Sequence, residues 1–156
     1  MPASDLDTPV GRLRAVSDGA ALVRLTWIGS GDPPAGDGDA VSRETVRQLA
    51  AYFRRDLTAF DLPIRWQGGS AFERSVWDGM RAIPYGETWT YGDLAERVGG
   101  VARAVGGACG RNPIPVVVPC HRVVGSSGRL VGFSGGDGVE SKRQLLDLER
   151  GQASLF

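Results

Sequence analysis

A thiol and an imidazole stand side by side in the run IPVVVPCHRVV, Ile114 to Val124: Cys120 is followed by His121, the only histidine of the chain, and then by Arg122. A cysteine becomes a strong nucleophile when its neighbours favour the thiolate, and an imidazole and a guanidinium offer two kinds of help. Adjacent side chains diverge by about 100° on a helix or 180° on a strand, so His121 is expected to act on the sulfur through a bridging water. Pro119 suits the first position of a short helical turn, which would set Cys120 near the positive end of the peptide dipoles. Val116 to Val118 read as buried. Burial raises a thiol pKa, so the helix end and His121 must oppose it. Without further context Cys120 could equally be a small core residue, since free cysteine is among the most buried types.

Several elements must position this run. Upstream, Ser70 and Glu73 form a capping box for a helix reaching about Met80, and Ile83-Pro84-Tyr85-Gly86 breaks it. Thr90 caps a helix carrying Leu94, Ala95 and Val98, which Gly99-Gly100 ends, and a second short helix runs from Val101 to about Gly110. Two short helices around a glycine turn outline a helix-turn-helix. The second, VARAVGGACG, is nearly all small residues with Arg103 as its one long side chain. Its backbone can therefore lie close to another helix or to a DNA groove. Asn112-Pro113 stops it, and an Asn side chain there can hold a tight turn. Downstream, Gly125-Ser126-Ser127-Gly128 and Phe133-Ser134-Gly135-Gly136 read as flexible loops. Asp137 with Glu140 can cap a last helix with Val139, Leu145, Leu146 and Leu148 facing inward, and Glu149 in its final turn, where the dipole disfavours an acid.

The first third of the chain looks like scaffold. Gly11 to Ser17 alternates, Asp18-Gly19 is a favoured two-residue turn, and Leu22 to Ile28 is β-rich, so residues 11 to 28 read as a hairpin. Gly29 to Asp39 reads as a loop. Ser42 can cap a helix with Val46, Leu49, Ala50, Phe53 and Leu57 on one face, and Ile64 to Trp66 could add a third strand. The expected fold is α+β: a small N-terminal antiparallel sheet with a helix over residues 1–67, then a mainly helical domain with the helix-turn-helix over 68–156.

The stretch PVVVPCHRVVGSSG, preceded by RAVGGACGRNP and followed by FSGG, resembles the signature of the O6-alkylguanine-DNA alkyltransferases, also called methylated-DNA–protein-cysteine methyltransferases. The resemblance runs from Phe72 to Glu149, and the looser TPVGRLRAVSDGAALVRLTW extends it toward the N-terminus. It implies irreversible, single-turnover transfer of the alkyl group from O6-alkylguanine, and from O4-alkylthymine, in double-stranded DNA to Cys120. It implies that Glu149 orients His121 and that Asn112 is a hinge between the DNA-reading helix and the reactive cysteine. By the same resemblance Tyr91 donates to the departing base. Arg103 fills the gap left by the flipped nucleotide, with Tyr91, Gly92 and Ser126 also on DNA. Ser134, Phe133 and Pro119 belong to the substrate pocket.

Other classes stay open on the residues alone. A Cys-His hydrolase would need an oxyanion hole and turnover, and a non-catalytic lesion sensor would have no use for Cys120. The composition, 42% apolar and 23% charged over 156 residues, is that of a globular protein with a real core. No run reaches membrane-spanning length and Met-Pro-Ala-Ser-Asp lacks signal-peptide regions, so the expectation is a cytoplasmic monomer without membrane contact. Two Cys and one His are too few for the structural zinc site that some relatives carry, and no metal or cofactor is expected. A Cys109–Cys120 disulfide is not expected in a reducing cytosol. The formal net charge is zero, yet Arg97 to Gly136 holds Arg97, Arg103, Arg111, Arg122 and Arg129 and no acid, which suggests a local basic patch.

Overall fold

The computed structural model describes residues 1–133 and 135–151 and divides into two compact units, Met1–Gln67 and one that begins at Gly68. The first is a three-stranded antiparallel sheet in the order β1 (Ala3–Thr8), β2 (Gly11–Ser17), β3 (Leu22–Ile28), with α1 (Ala40–Phe53) packed on it. The second contains α2 (Ala71–Met80), β4 (Trp89–Thr90), α3 (Tyr91–Val98), α4 (Ala102–Gly110), β5 (Val123–Val124) and α5 (Val139–Glu149), with β4 and β5 paired in parallel. This is an α+β fold.

The β2–β3 hairpin forms as expected, but residues 18–21 connect its strands in place of a two-residue Asp18-Gly19 turn, and Asp18 N–H donates to Ala21 O. Asp18 Oδ1 accepts from the N–H groups of Ala20 and Ala21, and Leu13, Ala15 and Ser17 alternate inward from β2. The third strand is β1, not 64–66: Ile64 makes only an isolated bridge to Leu22. β1 carries one large apolar residue, Leu6, which pairs with Leu13 across the strands. Its polar face is held by ions instead, since Asp5 lies opposite Arg14 and accepts from Arg14 Nε and Nη2 at 2.7 and 3.0 Å.

α1 begins at Asp39 rather than Ser42. The Asp39 carboxylate accepts from Ser42 N–H at 2.8 Å while Ser42 Oγ accepts from Asp39 N–H at 2.9 Å, which makes Ser42 the third residue of a capping box. Its buried face is also rotated from the expected one: Ser42, Thr45, Gln48, Leu49, Ala51 and Tyr52 are inside, and the helix ends at Phe53 before reaching Leu57. Polar members can be buried because they are satisfied. Thr45 Oγ1 donates to Val41 O, and Gln48 exchanges two hydrogen bonds with the Asp61 backbone.

In the second unit the Ser70–Glu73 capping box starts α2 and Thr90 caps α3 as the sequence predicts, and Asp93 completes a second box there. Gly99 and Gly100, at φ +79° and +126°, turn the chain from α3 into α4. α2, α3 and α4 pack on one another through Val76, Trp77, Met80, Leu94, Val105 and Ala108. Full burial of each larger side chain contributes about 1.5 to 3 kcal/mol, and Trp77 Nε1 donates to Ala108 O at 2.8 Å. α5 departs from expectation at its start: Gly138 is the cap residue and supplies no side chain, Ser141 Oγ accepts from Asp137 N–H, and Val139 is exposed. Leu145, Leu146 and Leu148 do face inward.

Candidate active site

Asn112, just past α4, ties down the loop that leads to Cys120. Its Oδ1 accepts from Ile114 N–H and its Nδ2 donates to Val118 O, both at 2.9 Å. Val118 N–H donates to Ile114 O and Cys120 N–H to Val118 O, so the loop is closed on itself. Val116 sits there at φ +71°, fully buried, a conformation that a β-branched residue holds only when its surroundings impose it.

Cys120, His121 and Arg122 form a single 3-10 turn, with Pro119 as the residue before it rather than the first residue in it. So short a turn gives the thiol little dipole. Burial pushes the Cys120 thiol above its ordinary 9.0, and the Asn112 amide, the Lys142 charge and the local backbone N–H groups only partly offset it. The opposition to burial is present, as expected, and burial outweighs it: the resting sulfur is a thiol.

His121 is fully buried, and its Nε2 lies 2.6 Å from Glu149 Oε2. Burial would raise the Glu149 carboxyl, but His121 and Arg122 hold it well below its usual range. Arg122 Nε and Nη2 donate to its two oxygens at 2.8 and 3.0 Å, and Gly86 N–H donates to Oε1. A carboxylate only accepts, so the imidazole proton resides on Nε2. Burial depresses the His121 pKa below its ordinary 6.5 against the opposing pull of Glu149, leaving the ring neutral near pH 7. Nδ1 is then a buried lone pair with no hydrogen-bond partner among the described residues. A neutral imidazole with one nitrogen fixed and the other vacant is poised to accept a proton.

Lys142 is the residue that sequence reasoning missed. It is the only lysine among eighteen basic residues, which was the available signal. It is 1% exposed, and its Nζ donates to Val123 O at 2.5 Å and to Val131 O at 2.8 Å. Tyr91 Oη donates to that same Val131 carbonyl at 3.0 Å. Burial, then the nearby Cys109 and Cys120, push the Tyr91 phenol up to about 12, so it remains a donor. Gly132, at φ +76°, permits this approach: a Cβ there would lie 2.7 Å from Tyr91 Oη. The loop after β5 is thus staked to α3 and α5. Lys142→Met, which removes both backbone contacts, is expected to destabilise the protein by about 1 to 3 kcal/mol, read as a lower urea midpoint at unchanged slope.

The fold therefore gathers Cys120, His121, Glu149, Asn112 and Tyr91, together with Arg122 and Lys142. Pro119 and Phe133 are buried. Gly92, Arg103 and Ser126 are exposed, on α3, on α4 and at the start of a 3-10 turn respectively, and Ser134 lies outside the described residues. Cys109 is a buried free thiol against Met80 Sδ, pushed up to about 12 by burial. The acid-free arginine stretch does not stay unpaired in space: Arg122 meets Glu149, Arg111 meets Glu73, and Arg97 lies 4.1 Å over the Trp89 ring. Arg103 and Arg129 remain exposed.

Residues 71–151 match the family model described as 6-O-methylguanine DNA methyltransferase, DNA binding domain. A methylated-DNA–protein-cysteine methyltransferase of Mycolicibacterium paratuberculosis is 44% identical over 151 residues, covering 93% of this chain and 90% of the relative. The crystal structure of the Mycobacterium tuberculosis O6-methylguanine methyltransferase aligns with a TM-score of 0.84 at 39% identity, over 99% of this chain and 96% of that one. A structure of Mycobacterium tuberculosis OGT in complex with DNA aligns with the same score and identity over 98% and 95%.

Proposed function

This chain belongs to the 6-O-methylguanine DNA methyltransferase family, and on that footing we propose that it moves the alkyl group from O6 of guanine, or O4 of thymine, in double-stranded DNA onto Cys120 Sγ, once per molecule. The observation that carries this reading is the buried His121, its Nε2 2.6 Å from Glu149 Oε2 and its Nδ1 without a partner among the described residues, directly after a buried thiol.

The alkylated base has to leave the stack before a nucleophile can reach its oxygen. The unit from Gly68 onward supplies the helix-turn-helix, with Arg103 on α4 filling the vacated stack and Tyr91, Gly92 and Ser126 on the strand; the first unit serves as scaffold. His121 Nδ1 draws the Cys120 proton through a water, and Glu149 stabilises the imidazolium. The thiolate then attacks the alkyl carbon. An S–C bond forms, the O–C bond breaks, and its electron pair leaves with the base. Asn112 holds the sulfur in line, and Phe133, Pro119 and Ser134 wall the pocket. The thioether formed is chemically stable, so the protein is consumed. It acts as a cytoplasmic monomer; among the described residues no helix is long and apolar enough to cross a membrane.

Negative charge grows on the base as it departs, and Tyr91 Oη, turning from the Val131 carbonyl, donates to a ring nitrogen. Tyr91→Phe is expected to slow transfer by about a hundredfold with DNA affinity nearly unchanged, measured by single-turnover kinetics beside equilibrium binding. A hydrolytic reading is less well supported, because the Cys120 N–H that would stabilise an oxyanion already donates to Val118 O. The deciding experiment is intact mass after incubation with an O6-methylguanine duplex. One methyl gained at Cys120 and no further product is the expected result; turnover without modification, or binding alone, overturns it.

A further inference from the structure

Beside α4 lies a cavity of about 680 Å3 that the sulfur chemistry does not use. Ser70, Phe72, Glu73, Arg103, Gly107 and Arg111 contribute to its lining. Positions 103, 107 and 111 recur every four residues and so share one face of α4 and the turn that follows it. Gly107 leaves the middle of that stripe empty, and Arg111 folds back across it: a Cβ on Gly107 would lie 3.4 Å from Arg111 Nη2 and 3.6 Å from Nη1.

Arg111 is held by one edge only. Its Nε donates to Glu73, and Glu73 is itself fixed by accepting from Ser70 N–H in the capping box of α2. The Nη groups lie over Gly107, at the cavity, and make no hydrogen bond there among the described residues. The planar fork of a guanidinium fits two oxygens of a phosphate at once, and this one is oriented in advance by a helix cap. Arg103 is exposed on the same cavity wall. Glu73 is the one acid in the lining against two arginines. The Phe72 ring, which packs so closely under Gly100 that a Cβ there would lie 3.0 Å away, supplies an apolar surface. The Arg111 fork beside an aromatic ring complements an anionic phosphate joined to the C–H face of a sugar.

We propose that this cavity takes the sugar–phosphate backbone of one strand of the duplex, that Arg111 contacts a phosphate there, and that Glu73 is the positioning residue that aims it. The proposal rests on the DNA reading above and adds a backbone contact to it, separate from the stack-filling role of Arg103.

The test is a salt series with the full chain and an O6-methylguanine duplex. Each phosphate neutralised contributes about 0.9 to the slope of log affinity against log salt. Arg111→Ala is expected to make that slope shallower by about 0.9 and to weaken binding roughly tenfold at low salt. Arg111→Lys, which keeps the charge and loses the fork, is expected to retain the slope. The exposure of Arg111 leaves the core intact in both variants, which parallel thermal melts verify. An Arg111→Ala slope equal to that of the wild type overturns the contact, even if affinity falls, because such a loss would be structural. Wild-type protein that binds the duplex and gains no methyl would sink the transfer mechanism, while the slope difference still decides the phosphate contact. Failure of the wild type to bind duplex DNA at all would overturn both.

Discussion

Glu149→Gln is expected to cost about 3 to 5 kcal/mol of stability, the largest loss of any single polar substitution in the site. The side chains of Glu149 and Arg122 are 0% and 8% exposed, so the charge of Arg122 is compensated inside the protein. An amide keeps one acceptor oxygen but turns its NH2 toward the guanidinium donors, leaving a buried cation without its counter-charge. Urea denaturation measures the loss, and a midpoint equal to that of the wild type would refute the account. The pH dependence carries a second signature. A carboxyl held below its ordinary 4.5 contributes stability that is fully present above that value and disappears as pH falls through the folded-state pKa. His121, pushed below 6.5 by burial, acts in the same direction, because under acid the unfolded chain takes up a proton that the folded ring refuses. The wild type should therefore lose stability from about pH 6.5 downward and more steeply below about 4.5. Glu149→Gln should make that limb shallower, and what remains comes from Asp5, Asp18, Asp39, Glu44 and Glu73, whose carboxyls are also held low by hydrogen bonds.

Cys120→Ser should abolish transfer, by at least about a thousandfold, while the protein still binds lesion-containing duplex. Oxygen in place of sulfur keeps its proton near neutral pH and is the poorer nucleophile. Intact mass after prolonged incubation is the measurement, and methylation of the serine variant would show that the acceptor lies elsewhere. The wild-type rate also reports where the thiol proton goes. With the thiol raised above 9.0 and the imidazole lowered below 6.5, a proton passed from one to the other makes no net exchange with solvent. Transfer should thus be flat between pH 7 and 9 and fall in acid as His121 protonates. A climb of about tenfold per pH unit across that interval would mean that free thiolate reacts and that His121 is not the base.

What the sequence made legible were the features with local chemistry: the Ser70–Glu73 box, the Thr90 cap, the hairpin over residues 11 to 28 and the glycine turn between α3 and α4. Features that depend on partners distant in the chain were not legible. β1 escaped because its outer face is built on Asp5 and Arg14, whose fit exists only across the strands. The face of α1 was misjudged because Gln48 is buried through Asp61, thirteen residues on. In the site, Cys120 and His121 could be chosen from their types alone. Glu149 stood out by its unfavourable place at a helix C-terminus, but its pairing with His121 came only through resemblance, and its bond to Arg122 spans 27 positions. Lys142 was hidden for a related reason: its partners are backbone carbonyls, which leave no mark in a pattern of side chains. The balance at the thiol was not legible either, because desolvation of the buried sulfur is set against Asn112, Lys142 and the local backbone N–H groups, and Lys142 lies 22 positions on.

The glycine at 132 has an evolutionary corollary. Even a methyl group there would collide with the phenol oxygen of Tyr91, and the positive φ penalises any replacement further. The two sites are therefore locked in sequence space. Descendants of this chain that gain bulk at 132 must displace the Tyr91 hydroxyl from the Val131 carbonyl or remodel the segment from Gly125 to Phe133, and paired substitution is the trace such drift would leave.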